Sequence, residues 1–292
     1  SIVLGINSNH ADSSACIIKD GKLLIAIEEE RINRIKHWAG LPVASIKECL
    51  KNTGLEIGQI NHIAINTNPI SNLKEKSIYF FKNYLFGSKK VEIAKRLKKK
   101  IDIKIDLNKE LYPDKLSNKI KIHYIDHHIS HIASAFYPSN FKKAVGLSID
   151  GFGDFSSLNI AECTNGKIKV IEKVFFPDSL GLFYEAFTQL IGFKNYGDEY
   201  KVMGLSSYGK PSYFNMINKY IFSNKEFFSL NLDYFNHTNK NFKYKFSGKP
   251  NQSTILNNNI LKKLKISKND LNNKKFNPQK KNLASSIQKI FE

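Results

Sequence analysis

The chain has 292 residues, 45 Lys and Arg against 26 Asp and Glu, a formal charge of +19 and 41% hydrophobic content. That apolar supply excludes a wholly disordered chain, and no apolar run approaches the ~18 residues of a membrane-spanning helix. Three scattered cysteines (Cys16, Cys49, Cys163) without a CxxC argue against a disulfide scaffold or zinc ribbon and point to a reducing cytoplasm.

Ser1-Ile2-Val3-Leu4-Gly5 reads as a buried strand and not as a signal peptide. A polar turn with His10 and Asp12 follows, then a strand, the hairpin signal Asp20-Gly21, and a third strand, Leu23 to Ile27. Pro42 to Leu50 reads as a helix with Pro near its start. Ile60 to Ile65 is a strand, residues 74–100 an amphipathic helical stretch, and Ile120 to Ile125 another strand. A helix runs from Asp126 to about Tyr137, stopped by Pro138. Ala144 to Ile149 is a strand, and Ser179 caps a helix that ends near Gly192. After residue 224 the pattern weakens, and a last helix spans Asn282 to Phe291. A chain stopping inside an amphipathic helix is expected to be part of something longer.

Residues 71–121 hold 15 Lys/Arg against 6 Asp/Glu, and residues 224–292 hold 14 against 4. The excess charge sits entirely there. The plain reading is solvated faces in a Lys- and Asn-rich composition; the sharper one is a docking surface for an anionic partner. The aromatics of the first stretch precede its basic run and do not alternate with it, so a nucleic-acid stacking platform is disfavoured.

Two segments are alike. Leu4 to Lys22 and Leu147 to Lys167 each read strand, polar turn with an acid, strand, and a Gly-Lys hairpin (Asp20-Gly21-Lys22, Asn165-Gly166-Lys167) that opens a further strand. Duplicated meanders followed by helices and strands imply an α/β fold of two ribonuclease-H-like halves. This is the organisation of the actin, Hsp70 and sugar-kinase superfamily, here truncated at the C-terminus. The halves are expected at 1–143, with a basic helical insertion at about 71–119, and at 144–292, with a basic Asn-rich insertion from about 224.

Asp126-His127-His128-Ile129-Ser130-His131 carries the strongest chemical signal. On a helix, His127 and His131 share a face and suit Zn, Fe, Ni or Cu, unless the pair is a coincidence of spacing or a cap. The Glu of HExxH is missing, which argues against a zincin protease. Asp150, opening Gly151-Phe152-Gly153-Asp154, completes a plausible two-His, one-carboxylate set. His10 is a hydrogen-bonding turn residue or an acid/base group. Arg31, Arg34, Lys36 and His37 form a solvated helix start or a clamp for phosphate or carboxylate. Lys201, in Gly197-Asp198-Glu199-Tyr200-Lys201, belongs to a helix start or holds a ligand phosphate.

Together these motifs resemble the carbamoyltransferases of nodulation-factor and antibiotic biosynthesis. The matching segments are 5–15, 28–37, 126–136, 150–154, 179–184 and 197–211, in order. The resemblance implies a protein whose N-terminal part is similar to the tRNA threonylcarbamoyl-transferring protein, followed by an adenylate-forming domain absent from this chain. Such a protein makes carbamoyl-adenylate from carbamoyl phosphate and ATP and passes the carbamoyl group to an acceptor hydroxyl of a sugar or small natural product. The resemblance places iron or a similar divalent metal on His127, His131 and Asp150, the active-site histidine at His10, and the donor grip at Lys36. Asp12, Arg31, His37, Asp154 and Lys201 fall among the expected substrate-binding residues. The expected partner is a hydroxyl-bearing small molecule, with a homodimer left open. A further metal carboxylate and the Gly-rich nucleotide motif would lie downstream, so this chain alone is expected not to complete turnover. The competing readings are an ATPase or sugar kinase of the same superfamily, a tRNA-modifying or RNA-binding protein, and a scaffold with a decayed site.

Overall fold

The computed structural model describes residues 1–84, 103–111, 116–223, 227–239, 241–267, 271 and 277–292. It is a mixed α/β protein whose chain divides into two compact units. The first comprises Ser1–Pro138, Gly153–Phe155 and Phe246–Pro250; the second comprises Ser139–Phe152, Ser156–Lys245 and Asn251–Glu292. No helix among the described residues is long and apolar enough to cross a membrane.

The first unit is built on β1 (Ile2–Asn7), β2 (Ser14–Lys19), β3 (Lys22–Glu28), β4 (His62–Ile65) and β5 (Lys121–Tyr124), in the order β3-β2-β1-β4-β5. The first three strands form an antiparallel meander; β4 and β5 join in parallel. The β2–β3 hairpin closes on Asp20 and Gly21, both with positive φ (50° and 80°), the turn an Asp-Gly pair favours. Side chains alternate along β1, so Leu4 and Ile6 are buried with Ile17, Ile63 and Ile65 on one face of the sheet. That core also holds Ile46 and Cys49 of α2 (Val43–Thr53), which follows the short α1 (Glu29–Asn33). Gly54 ends α2 in the left-handed conformation at φ 65°. Next come α3 (Leu73–Tyr84) and α4 (Ile103–Glu110), the latter contributing Ile103 and Leu107 to the same core. Residues 85–100 of the expected helical stretch, including the basic run at 95–100, lie outside the described residues. After β5, α5 (His127–Phe136) begins at an Asp126 cap whose carboxylate accepts from the His128 and Ile129 amides.

The second unit opens on the meander β6 (Lys143–Gly153), β7 (Ser156–Thr164) and β8 (Lys167–Phe175). Asn165 and Gly166 make its hairpin with φ 51° and 72°. Then follow α6 (Leu180–Ile191), α7 (Glu199–Ser206), α8 (Phe214–Ile221), α9 (Asn259–Leu264) and α10 (Pro278–Phe291). The Ser179 hydroxyl caps α6 by accepting from the Leu182 amide at 3.0 Å. The core gathers Phe183, Phe187, Ile217, Leu264, Leu283 and Ile287. The last helix starts four residues before the expected Asn282. Pro278, which resembles a breaker, sits in the first turn, where its missing N–H costs nothing, behind an Asn277 cap.

Candidate metal and acid–base site

The i,i+4 pair on α5 brings two ring nitrogens together. The Nε2 atoms of His127 and His131 stand 3.1 Å apart. With metal–nitrogen bonds of about 2.0–2.1 Å, that separation subtends about 95–100° at a shared ion. His127 and His128 are buried, and their rings meet edge to face at 5.5 Å. Gly153 makes room for the ring of His127: a Cβ at that glycine would fall 2.0 Å from the ring's Cδ2.

Asp154 fixes the start of α5. Its carboxylate accepts from Thr67 Oγ1 (2.7 Å), the Asn68 amide (2.7 Å) and the His127 amide (3.0 Å). The last of these is a helix-terminal N–H with no intrahelical partner. Asp154 is 7% exposed and sits at φ 49°; its carbonyl accepts from Asn72 Nδ2. The carboxylate expected to meet substrate thus binds three protein donors and orients the first histidine.

His10 belongs to the same neighbourhood. Its ring centre lies 5.4 Å from that of His127, and its ring stacks on Phe246 at 5.4 Å with planes 12° apart. The loop carrying His10 is held against the segment 38–40. Asn9 N donates to Gly40 O, Ser13 N donates to Trp38 O, and Gly40 N donates to Ser13 Oγ. The Asn7 amide further ties down the carbonyls of Ala11 and Asp12. On this platform Asp12 Oδ1 lies 2.8 Å from His37 Nδ1, and Glu30 accepts from the His37 amide. Asp12, Glu30 and His37 converge with ligand atoms within 4.8 Å of one another.

Arg31, Lys36, Asp150 and Lys201 sit on other segments of the chain. Arg31 is 74% exposed, 3.8 Å from Glu28, and lines a cleft of about 800 Å³ with Asn7, Cys16 and Ser130. Lys36 is exposed. Asp150 lies on β6, three residues before Gly153; its carboxylate accepts from the Gly151 amide and its carbonyl from Ser179 Oγ. Gly181 packs against the backbone there with no space for a Cβ. Lys201 is paired with Asp198 at 2.6 Å, and that hydrogen bond holds the lysine above its ordinary pKa.

Two features escaped the sequence reading. Phe246 lies in the basic, Asn-rich region yet returns to the first unit, where Ala39 and Gly248 exchange a pair of backbone hydrogen bonds. Only the Gly-Lys-Pro of 248–250 hinted at a fixed turn. Glu185, one helical turn after Gly181 on α6, is the other. Burial first, then the charges of Glu199 and Asp150, push its carboxyl up to about 8, against the opposing hydrogen bond from Gln252.

Comparison with known proteins gives a consistent picture. A sequence model described as "Carbamoyltransferase N-terminus" matches residues 2–292. An uncharacterized protein of Synechocystis, sll1178, is 35% identical over 271 residues, covering 86% of this chain and 43% of that protein. Nodulation protein NolNO of Sinorhizobium fredii is 33% identical over 202 residues, covering 69% of this chain and 28% of its own length. The chain therefore spans less than half of these relatives. Among solved structures, YeaZ from Pseudomonas aeruginosa aligns over 61% of this chain and 70% of its own, with 10% identity and a TM-score of 0.31.

Proposed function

The chain belongs to the carbamoyltransferase N-terminus family, and we propose that it serves the acceptor side of an O-carbamoyltransferase. The carbamoyl group would come from carbamoyl phosphate, by way of carbamoyl-adenylate made with ATP. It would pass to a hydroxyl of a sugar or small natural product. Its two units are read as ribonuclease-H-like halves divided near residue 143, a reading supported by the β3-β2-β1-β4-β5 order of the first and the meander that opens the second.

The observation that carries the proposal is the pair of imidazole nitrogens 3.1 Å apart at the head of α5, beside a third histidine. His127 and His131 hold a divalent metal, iron or one like it, and Asp150 supplies the carboxylate. A carbamoyl carbonyl is a poor electrophile because its nitrogen donates into it, and a bound cation would offset that by polarising the oxygen.

This chain's own residues do the rest. His10 takes the proton of the acceptor hydroxyl at an imidazole nitrogen as the oxygen attacks, and the Phe246 stack keeps the ring in place. Lys36 and Arg31 neutralise the donor's phosphate, with Asp12 and His37 lining the same platform. Asp154 acts by orienting His127. Lys201, paired with Asp198, is a further candidate for holding a ligand phosphate.

The test is metal content after anaerobic loading with Fe(II). One ion per chain is expected, lost in both His127→Ala and His131→Ala. Retention in both variants overturns the metal assignment. In the full-length protein, His10→Ala should lower carbamoyl transfer by about 100-fold while leaving the bound ion in place. Unchanged transfer removes His10 from the mechanism.

A further inference from the structure

The first unit holds a second imidazole pair, on strands β4 and β5. β4 and β5 run parallel with His62 opposite Lys121 and Ala64 opposite His123. His123 therefore stands two residues beyond the partner of His62, on the same face of the sheet. The two rings reach each other diagonally. His62 Nδ1 and His123 Nε2 are 2.9 Å apart, with ring centres at 5.1 Å, at an exposed position.

We propose that His62 and His123 chelate a square-planar or octahedral transition-metal ion, of the nickel(II) or copper(II) kind, on the surface of this sheet. The separation selects the geometry. With bonds of about 2.0–2.1 Å, nitrogens 2.9 Å apart subtend about 90° at the ion. That is the angle of neighbouring positions in tetragonal coordination. A tetrahedral ion would need the nitrogens roughly 3.3–3.4 Å apart. The rigidity of the parallel ladder favours the pair, because two adjacent strands fix both backbones and little freedom is lost on binding. The ion's other positions face solvent and are filled by water or by an oxygen or nitrogen ligand brought from outside.

The full chain is titrated calorimetrically with Ni(II) alone. Two classes of equivalent are expected, one from this pair and one from the α5 histidines. His62→Gln and His123→Gln should each weaken the first class by roughly tenfold or more, since a chelate loses its effective concentration when either arm goes. The double variant should be no worse than either single variant. His127→Ala should leave this class untouched and remove the other, so this assignment and the α5 metal assignment fail separately. Circular dichroism checks folding, and a Lys121→Gln variant on the same face should retain the equivalent. Unchanged Ni(II) binding in either single variant, or strictly additive losses, overturns the proposal.

Discussion

Two turns join the first pair of strands in the two meanders, and they use their polar residues in opposite ways. The β1–β2 connection, residues 8–13, is long and displays its side chains. His10 faces His127, and Asp12, 51% exposed, meets His37. The β6–β7 connection is only Asp154 and Phe155, and its carboxylate is consumed by three donors of the first unit. Similar local architecture thus displays polar side chains in one place and consumes a carboxylate in the other. Acid content alone could not separate the roles; the number of protein donors around each carboxylate does.

The contrast can be broken by substitution, and the anchor should break hardest. Asp154→Ala strands two backbone amides and a hydroxyl in a buried place and should cost about 4 kcal/mol, read as a lowered denaturation midpoint with unchanged slope. Gly153→Ala should follow at about 3 kcal/mol, since the added methyl meets the His127 ring and must displace it. Its metal content should fall with its stability.

Glu185 gives a pH signature in the second unit. Its folded pKa of about 8 lies above the ordinary 4.5. The folded state therefore holds a proton that the unfolded chain has released between those values. Stability should be greatest below pH 4.5 for this group and fall by about 2–3 kcal/mol from pH 5 to pH 7. Glu185→Gln should flatten that slope in denaturant titrations at several pH values. The smallest effect belongs to the display turn: Asp12→Ala, at an exposed carboxylate, should change stability by less than about 1 kcal/mol. A loss as large as that of Asp154→Ala would erase the distinction between the two turns.

Where local chemistry decides structure, the chain was readable. Asp20-Gly21 and Asn165-Gly166 specify their hairpins because both positions need positive φ. Asp126 and Ser179 announce their helices because each side chain accepts from an orphan amide. The His127–His131 pair follows from helical spacing alone. What escaped depends on contacts distant in sequence. The engagement of Asp154 by Thr67 and Asn68, the arrival of Phe246 beside His10, and the burial of Glu185 next to Gln252 leave no periodic trace. The last helix begins four residues ahead of the expected Asn282 because a proline such as Pro278 fits the first turn of a helix.

The late return of Phe246 has a consequence for biogenesis. The imidazole it stacks against leaves the ribosome more than two hundred residues earlier, and Gly248 closes its ladder onto Ala39 across a similar span. Such long-range closure is slow and comes last. During synthesis the sheet of the first unit can assemble while its histidine platform still waits for a segment not yet made. A nascent chain that has not reached residue 250 would then carry the strands without the Phe246 stack on His10, so that arrangement forms only after the segment 246–250 has emerged.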